Sequence, residues 1–317
     1  MSDLVTFGET MLRLSAPQGE RLERTEELEV YVGGAESNTA IAAERLGAVS
    51  TWLSALPDSP LGRRVASELR SHGIDTEIAW TEDGRQGLYF LEHGGEPRGT
   101  NVIYDRDDAP IASVGADQFD PTVFEDARLF YTSGITPALS EQARDTTYHL
   151  LQGAREAGLR TAMDVNYRSK LWTPEEANAT LTKLFPALDV LFVAIRDARE
   201  VLGYEGNPTE LANHLIAEYD LQTVVVTRGE HGALAIHDGV VHEHDVYEAE
   251  TYDPIGTGDA FVGAFLARRL SGDDVGRALE YAAATASYKR TIAGDVASVT
   301  KEEVEALIES GAEDVSR

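Results

Sequence analysis

Residues 251–263, Thr-Tyr-Asp-Pro-Ile-Gly-Thr-Gly-Asp-Ala-Phe-Val-Gly, hold the densest set of groups able to do chemistry. Gly256 and Gly258 bracket Thr257, Asp259 follows at once, and an apolar run suited to a helix begins at Ala260. Glycines let the backbone turn at little steric cost and leave its amides bare. The first N–H groups of a helix have no intrahelical partner, and the helix dipole favours an anion there. A phosphate would fit over the amides of Gly256, Thr257 and Gly258. Asp259 repels that phosphate, so its position makes sense if it accepts the proton of a hydroxyl attacking a phosphoryl group held by the amides. A plain glycine-rich turn with an aspartate near a helix start describes these residues equally well when they are taken alone.

The elements that must position this stretch can be followed along the chain. Residues 4–7 form a short buried strand ending at Gly8-Glu9, Leu12-Arg13-Leu14 alternates, and the acidic, arginine-bearing segment 19–29 is expected as an exposed loop. A strand at 30–32 leads through Gly33-Gly34-Ala35-Glu36-Ser37-Asn38 into a helix stopped by Gly47. Two glycines at such a junction permit close approach of a ligand, and Asn38 can both donate to and accept from a hydroxyl; a tight turn with a solvent-facing asparagine is the plainer alternative. Residues 52–56 read as a strand and 61–72 as a helix. Two β-rich pieces, 86–91 and 101–104, flank the loop His93-Gly94-Gly95-Glu96-Pro97-Arg98-Gly99 and carry Tyr89, Tyr104 and Arg106.

From Gln118 onward strands and helices alternate. Val190 to Val193 and Thr223 to Thr227 are continuous apolar runs, as in parallel strands covered on both faces. Thr173-Pro174-Glu175-Glu176 is a capping box with proline at the first helical position. The alternation predicts a doubly wound α/β sheet with ligands at the carboxyl ends of its strands. Asp164-Val165-Asn166-Tyr167-Arg168 closes one central strand, and Thr227-Arg228-Gly229-Glu230-His231-Gly232 follows another. The small-residue run 282–287 suits a helix packed close either to a ligand or to a neighbour, and the residues after Leu307 read as a frayed acidic end.

Taken together, these residues resemble the ribokinase-like (PfkB) carbohydrate kinases over essentially the whole chain. The resemblance implies a single domain, 1–317, with a small β-sheet lid formed by insertions at about 9–33 and 86–106. A lid would exclude water, which otherwise competes as the nucleophile. By the same resemblance Asp259 is the catalytic base and Gly256, Thr257 and Gly258 form the anion hole. Gly33, Gly34, Asn38, Tyr89, Tyr104, Arg106, Arg168, Asp259 and Asp295 are implied at the sugar. Asn166, Arg168, Thr227, Gly229, Gly232, Gly256, Gly258 and Ser287 are implied at ATP.

Where the family usually carries Asn-x-x-Glu, this chain has Ala194-Ile195-Arg196-Asp197, so only Asp197 remains to hold a magnesium-bound water. A potassium ion near Asp253 completes the implied cofactors. An arginine fork matches a carboxylate with two parallel hydrogen bonds, which a neutral sugar does not need. Gly34, Tyr89, Tyr104-Asp105-Arg106 and Arg168 accordingly resemble the branch acting on 2-keto-3-deoxygluconate. A fructokinase or ribokinase acting on a neutral sugar is the alternative within the family, and a non-catalytic sugar or nucleotide sensor the alternative outside it. A nicotinamide dehydrogenase is disfavoured, since Gly256-Thr257-Gly258 lacks the third glycine of a dinucleotide fingerprint.

Bulk composition narrows the partners. Against 27 basic residues stand 55 acidic ones, a net charge of −28, and only Lys170, Lys183, Lys289 and Lys301 are lysines. Such a surface repels nucleic acid and anionic lipid. It suits multimolar salt, where screening removes self-repulsion, and the melting temperature is expected to rise with potassium chloride; a flat or falling response would refute salt adaptation. No cysteine is present and no basic-then-apolar leader opens the sequence, which predicts a cytoplasmic protein. Unpaired lid edges make pairing of two copies an expectation.

Overall fold

A computed structural model describes residues 2–95 and 97–315, so Glu96 of the expected 93–99 loop lies outside the described residues. The first half of the chain contains β1 (Leu4–Phe7), β2 (Met11–Ser15), β3 (Glu29–Gly33), α1 (Ala35–Arg45), β4 (Ser50–Pro57), α2 (Pro60–Ser71), β5 (Asp75–Thr81), β6 (Leu88–His93), β7 (Thr100–Asp105), β8 (Leu129–Ser133) and α3 (Glu141–Glu156). The second half contains β9 (Arg160–Asp164), α4 (Pro174–Leu184), β10 (Val190–Ala194), α5 (Ile195–Glu200), α6 (Pro208–Tyr219), β11 (Thr223–Thr227), β12 (Ala233–His237), β13 (Val240–His244), α7 (Thr257–Leu270), α8 (Val275–Arg290) and α9 (Lys301–Val315).

Nine strands form the main sheet in the order β13-β12-β11-β10-β9-β8-β1-β4-β5. All neighbours from β5 to β11 are parallel, and β12 and β13 are added antiparallel. The apolar runs that predicted burial on both faces become β10 and β11, whose residues pack into two separate cores. Val5, Phe7, Leu191 and Val224 join α3, α4 and α6 on one face. Leu4, Phe192 and Val225 join α1, α7 and α8 on the other. Strand order reverses between β1 and β8, and that switch opens a crevice at the carboxyl ends of the strands.

The second sheet has the order β3-β2-β6-β7, with β2 and β6 parallel and the outer pairs antiparallel. Its strands come from the two stretches expected to form a lid. Met11, Tyr89 and Leu91 make its inner apolar patch, against which Tyr104 and Ile255 pack. The Thr173–Glu176 capping box forms as expected at the start of α4, with proline at the first helical position.

Arg13 of β2 is 1% exposed, because this side of the strand faces carboxylates of the main domain. One expectation needs correction. The residues after Leu307 do not fray at once: α9 runs to Val315, anchored by Val304 and Ile308 four residues apart on one face in the core. Among the described residues no helix is long and apolar enough to cross a membrane.

Candidate active site

The crevice at the switch point is a cavity of about 970 Å³, room for two small substrates end to end. Its floor is built from strand ends: Glu9 after β1, Ile135 after β8, Asp164 to Arg168 at β9, Ala194 and Asp197 at β10, and Thr227 at β11. The second sheet forms the opposite wall with Met11, Tyr89, Leu91, Tyr104 and Arg106.

Asp259 occupies the first turn of α7 and lines this cavity while only 9% exposed. Among the described residues it has no cationic partner within salt-bridge distance, and its Oδ2 accepts from Asn38 Nδ2 at 2.8 Å. Asn38 therefore lies at the cavity wall with its amide turned to the carboxylate rather than to solvent. Burial raises Asp259 from the usual aspartate value to about 6, against the Asn38 hydrogen bond and the Arg168 charge, which pull it down. Gly256 caps α7 with φ +81°, a conformation open to glycine, and a methyl group there would collide with the Asp295 carbonyl. Among the described residues the amides of Gly256, Gly258 and Asp259 donate to no acceptor, so they remain available to an anion. The Thr257 amide, expected in the anion hole, instead donates to the Pro254 carbonyl at 3.3 Å because the turn closes on itself there.

On the lid side, Gly33 lies against the Asp295 carboxylate and the Tyr89 hydroxyl, and Gly34 is packed so tightly on the Glu9 carbonyl that only glycine fits. Tyr89 donates to Asp295 Oδ2, and Asp295 Oδ1 accepts from Arg13 at 2.8 Å. Arg13 also reaches Asp253 Oδ2 at 2.7 Å. Burial pushes Asp253 up, but His93 and Arg13 outweigh it and hold the carboxyl at about 2.

Arg106, expected open to a substrate carboxylate, instead pairs with Glu9 and lies 5.4 Å over the Tyr104 ring. The pairing follows from burial of both groups, since neither could be enclosed alone. Arg168 makes no salt bridge among the described residues; its guanidinium donates to the Tyr167 carbonyl at 3.1 Å and otherwise faces the cavity.

Toward the other end, Asn166 adopts φ +41°, within the left-handed region that asparagine tolerates, and its amide donates to Asp164 Oδ1 at 3.2 Å. Asp164 opens onto the cavity but is otherwise enclosed; that enclosure, with Asp197 and Asp259 nearby, raises it to about 8. Asp197, the residue singled out for metal, is 2% exposed, with Oδ1 accepting from Arg196 at 2.8 and 2.9 Å and Oδ2 from the Tyr167 amide at 3.2 Å. Asp164, with one backbone donor, is thus the less committed carboxylate at this end.

Thr227 lines the cavity. Gly229 and Gly232 do not, and belong to the turn by which β11 reverses into β12; Gly232 packs on the backbone at His244. Ser287 is also outside it: its hydroxyl donates to the Tyr247 carbonyl at 2.9 Å, because the small residues of α8 pack into the core against α7. In this structure that run packs a helix against its neighbour.

Sequence reasoning passed over Glu36. Its Oε1 accepts from the amide and hydroxyl of Ser133 and from Thr136, and burial raises it to about 7 against those bonds. Its partners lie 97 to 100 residues away, so no local pattern marks it.

If Asp259 must be ionised to accept a proton, kcat/KM should fall as pH drops through about 6, well above the ordinary aspartate value. Asn38→Ala removes the donor that lowers this value, so the acid limb should move upward by about one unit, the order of one charged hydrogen bond. A pH–rate profile unchanged in the variant would separate Asn38 from the titration of Asp259.

Comparison with known proteins places this geometry. The model of the pfkB family carbohydrate kinases matches residues 1–302. The chain is 56% identical over 316 residues, all of its own length and 99% of the relative's, to a 2-dehydro-3-deoxygalactonokinase of Haloferax volcanii. It is 32% identical to a 2-dehydro-3-deoxygluconokinase of Thermoproteus tenax, over 93% of this chain and 90% of that one. Among solved structures, a 2-dehydro-3-deoxygluconokinase of Thermotoga maritima superposes with a TM-score of 0.92 at 34% identity, covering 97% of this chain and 98% of the other.

Proposed function

The chain belongs to the pfkB family of carbohydrate kinases, and from that premise we propose that it transfers the γ-phosphoryl group of ATP to the terminal, 6-position hydroxyl of a 2-keto-3-deoxy sugar acid. The single observation that carries this reading is Asp259: a buried carboxylate with no cationic partner among the described residues, beside free amides and in a cavity large enough for both substrates. The sugar lies between the second sheet and Asp259, near Gly33, Gly34, Asn38, Tyr89 and Asp295. Its carboxylate meets the fork of Arg168, with Arg106, paired to Glu9, on the same cavity wall as a second contact.

As the sugar hydroxyl attacks in line, its proton passes to Asp259, an O6–P bond forms, and the bond from phosphorus to the β-phosphate oxygen breaks to release ADP. The amides of Gly256, Gly258 and Asp259 receive the charge on the transferring group without reorganising, and positioning by the two walls supplies much of the rest. The donor set fits Mg–ATP: free amides at one end, and Asp164 with Asn166 at the other. Among the described residues no cluster of three metal-ligating side chains exists, which fits a magnesium ion arriving with the nucleotide. Bound there, magnesium would neutralise phosphate charge, with Asp164 and Asp197 orienting its waters. The second sheet acts as a lid, and the open edge of β7, where Ile103 is 51% exposed, supports pairing of two copies through it.

The test is ATP-dependent ADP release in molar potassium chloride over ribose, fructose and the 2-keto-3-deoxy acids of both the gluconate and galactonate series. The acids should exceed the neutral sugars in kcat/KM by about 10²-fold or more, the order expected when a buried charged group is left unpaired. Comparable use of ribose or fructose would overturn the sugar-acid reading, and no turnover of any sugar would favour a sensor.

A further inference from the structure

Lys289 is one of four lysines in the chain and has no solvent exposure. It stands in the last turn of α8, and its ammonium donates to the main-chain carbonyls of Asp253 at 3.1 Å and Ile292 at 3.0 Å. Those carbonyls belong to two different loops. One enters the amide cradle at Gly256; the other leads to Asp295. The loops touch each other directly, for the Gly294 amide donates to Asp253 Oδ2 at 3.0 Å and Gly256 packs on the Asp295 carbonyl. Lys289 therefore fastens, from beneath, the segments that place the amides and the Asp295 carboxylate.

An enclosed ammonium is strongly unfavourable unless something requires its charge, and an apolar side chain would fill the same space without that cost. No carboxylate oxygen lies within salt-bridge distance of Lys289 among the described residues, so ordinary ion pairing does not account for it. What it meets is a pair of carbonyl oxygens converging from two loops, with Asp253 and Asp295 nearby: the surroundings that hold a monovalent cation. A separate potassium ion does not fit at Asp253. The carboxylate there is already engaged by Arg13, Gly294 and Ile255 amides, and its carbonyl by Lys289.

We propose that the Lys289 ammonium is a built-in monovalent cation, a positioning residue that couples the amide loop to the Asp295 loop so that no free potassium is needed. Truncating it should leave a carbonyl-lined space that potassium or ammonium can enter and sodium, which prefers shorter contacts, fills poorly. The consequence for turnover rests on the kinase reading; the consequence for cation binding does not.

The experiment compares wild type with Lys289→Met and Lys289→Ala in potassium, ammonium, sodium and tetramethylammonium chloride at equal molarity, reading melting temperature and ADP release. Wild type should differ between potassium and sodium by less than about twofold in kcat. In sodium and tetramethylammonium the variants should lose about 10²-fold in kcat, the order seen when reacting groups shift by an ångström. Potassium or ammonium should restore Lys289→Ala by about tenfold or more and raise its melting temperature above that in sodium. A variant that folds only in potassium or ammonium supports the proposal. Strong potassium activation of wild type, full activity of the variants in sodium, or equal damage in all four salts overturns it. If wild type phosphorylates no sugar, the kinase reading fails while the melting temperatures still decide the cation question.

Discussion

Asp259→Asn should lower kcat by about 10²–10⁴-fold, the usual worth of a general base, while leaving KM for ATP and sugar acid nearly unchanged. The substitution keeps shape and retains an oxygen that can accept from Asn38 Nδ2, so the first turn of α7 and its amides should stay in place. Stability should not suffer. Above pH 6 the wild-type carboxylate is charged in a place whose burial raises its pKa, and a neutral isostere relieves that penalty. A variant equal to or above wild type in melting temperature, yet almost inactive, is the expected pair of results, and it matches the general trade between stability and an active site's exposed chemistry. Turnover within tenfold of wild type would remove Asp259 from the mechanism, and with it the main support for the kinase reading.

The second large effect is on stability. Arg13 is 1% exposed and joins Asp253 to Asp295, with its Nε donating to Ser15 at 2.6 Å and its guanidinium 5.2 Å over the Tyr31 ring. Arg13→Met keeps most of the volume but leaves two enclosed carboxylates without their cation. Breaking a buried pair in this way costs about 3–5 kcal/mol. For a chain of this size that is a fall in melting temperature of about 5–8 °C. Because the ions are enclosed, salt screens them little, so the deficit should persist in molar potassium chloride even though the exposed acidic surface is by then quiet. Arg13→Lys should recover only part of it, since one ammonium cannot serve both carboxylates with a planar fork. A loss of less than about 2 °C, or one that disappears in high salt, would show that the pairing is dispensable.

Much of the fold was legible along the sequence because its signals are local. Uninterrupted apolar runs in β10 and β11 announce strands covered on both faces, and the Thr173–Glu176 box marks the start of α4. The turn at Gly256 could be read as an anion cradle because its requirement, a left-handed glycine ahead of free amides, is carried by adjacent residues. Asp259 could be named for the same reason. The bulk charge of −28 likewise needs no structure to interpret.

What the sequence could not decide is which charged groups remain free once the chain is folded. Arg106 and Arg168 look alike in one dimension, yet Glu9, distant in sequence, takes the first and leaves the second open. Asp197 reads as the one metal contact along the sequence, yet Arg196 and Tyr167 share its oxygens, and Asp164 stands less engaged beside it. Ser287 sits in a run of small residues that looks equally suited to a ligand or a neighbour, and only the packing of α8 on α7 assigns it to the neighbour. Arg13, Glu36 and Lys289 carry no local mark, because their partners lie on segments brought together by the sheet's switch point and the lid. Propensity and periodicity act over a few residues, whereas the pairing of buried charges is settled by which distant groups the completed fold encloses together.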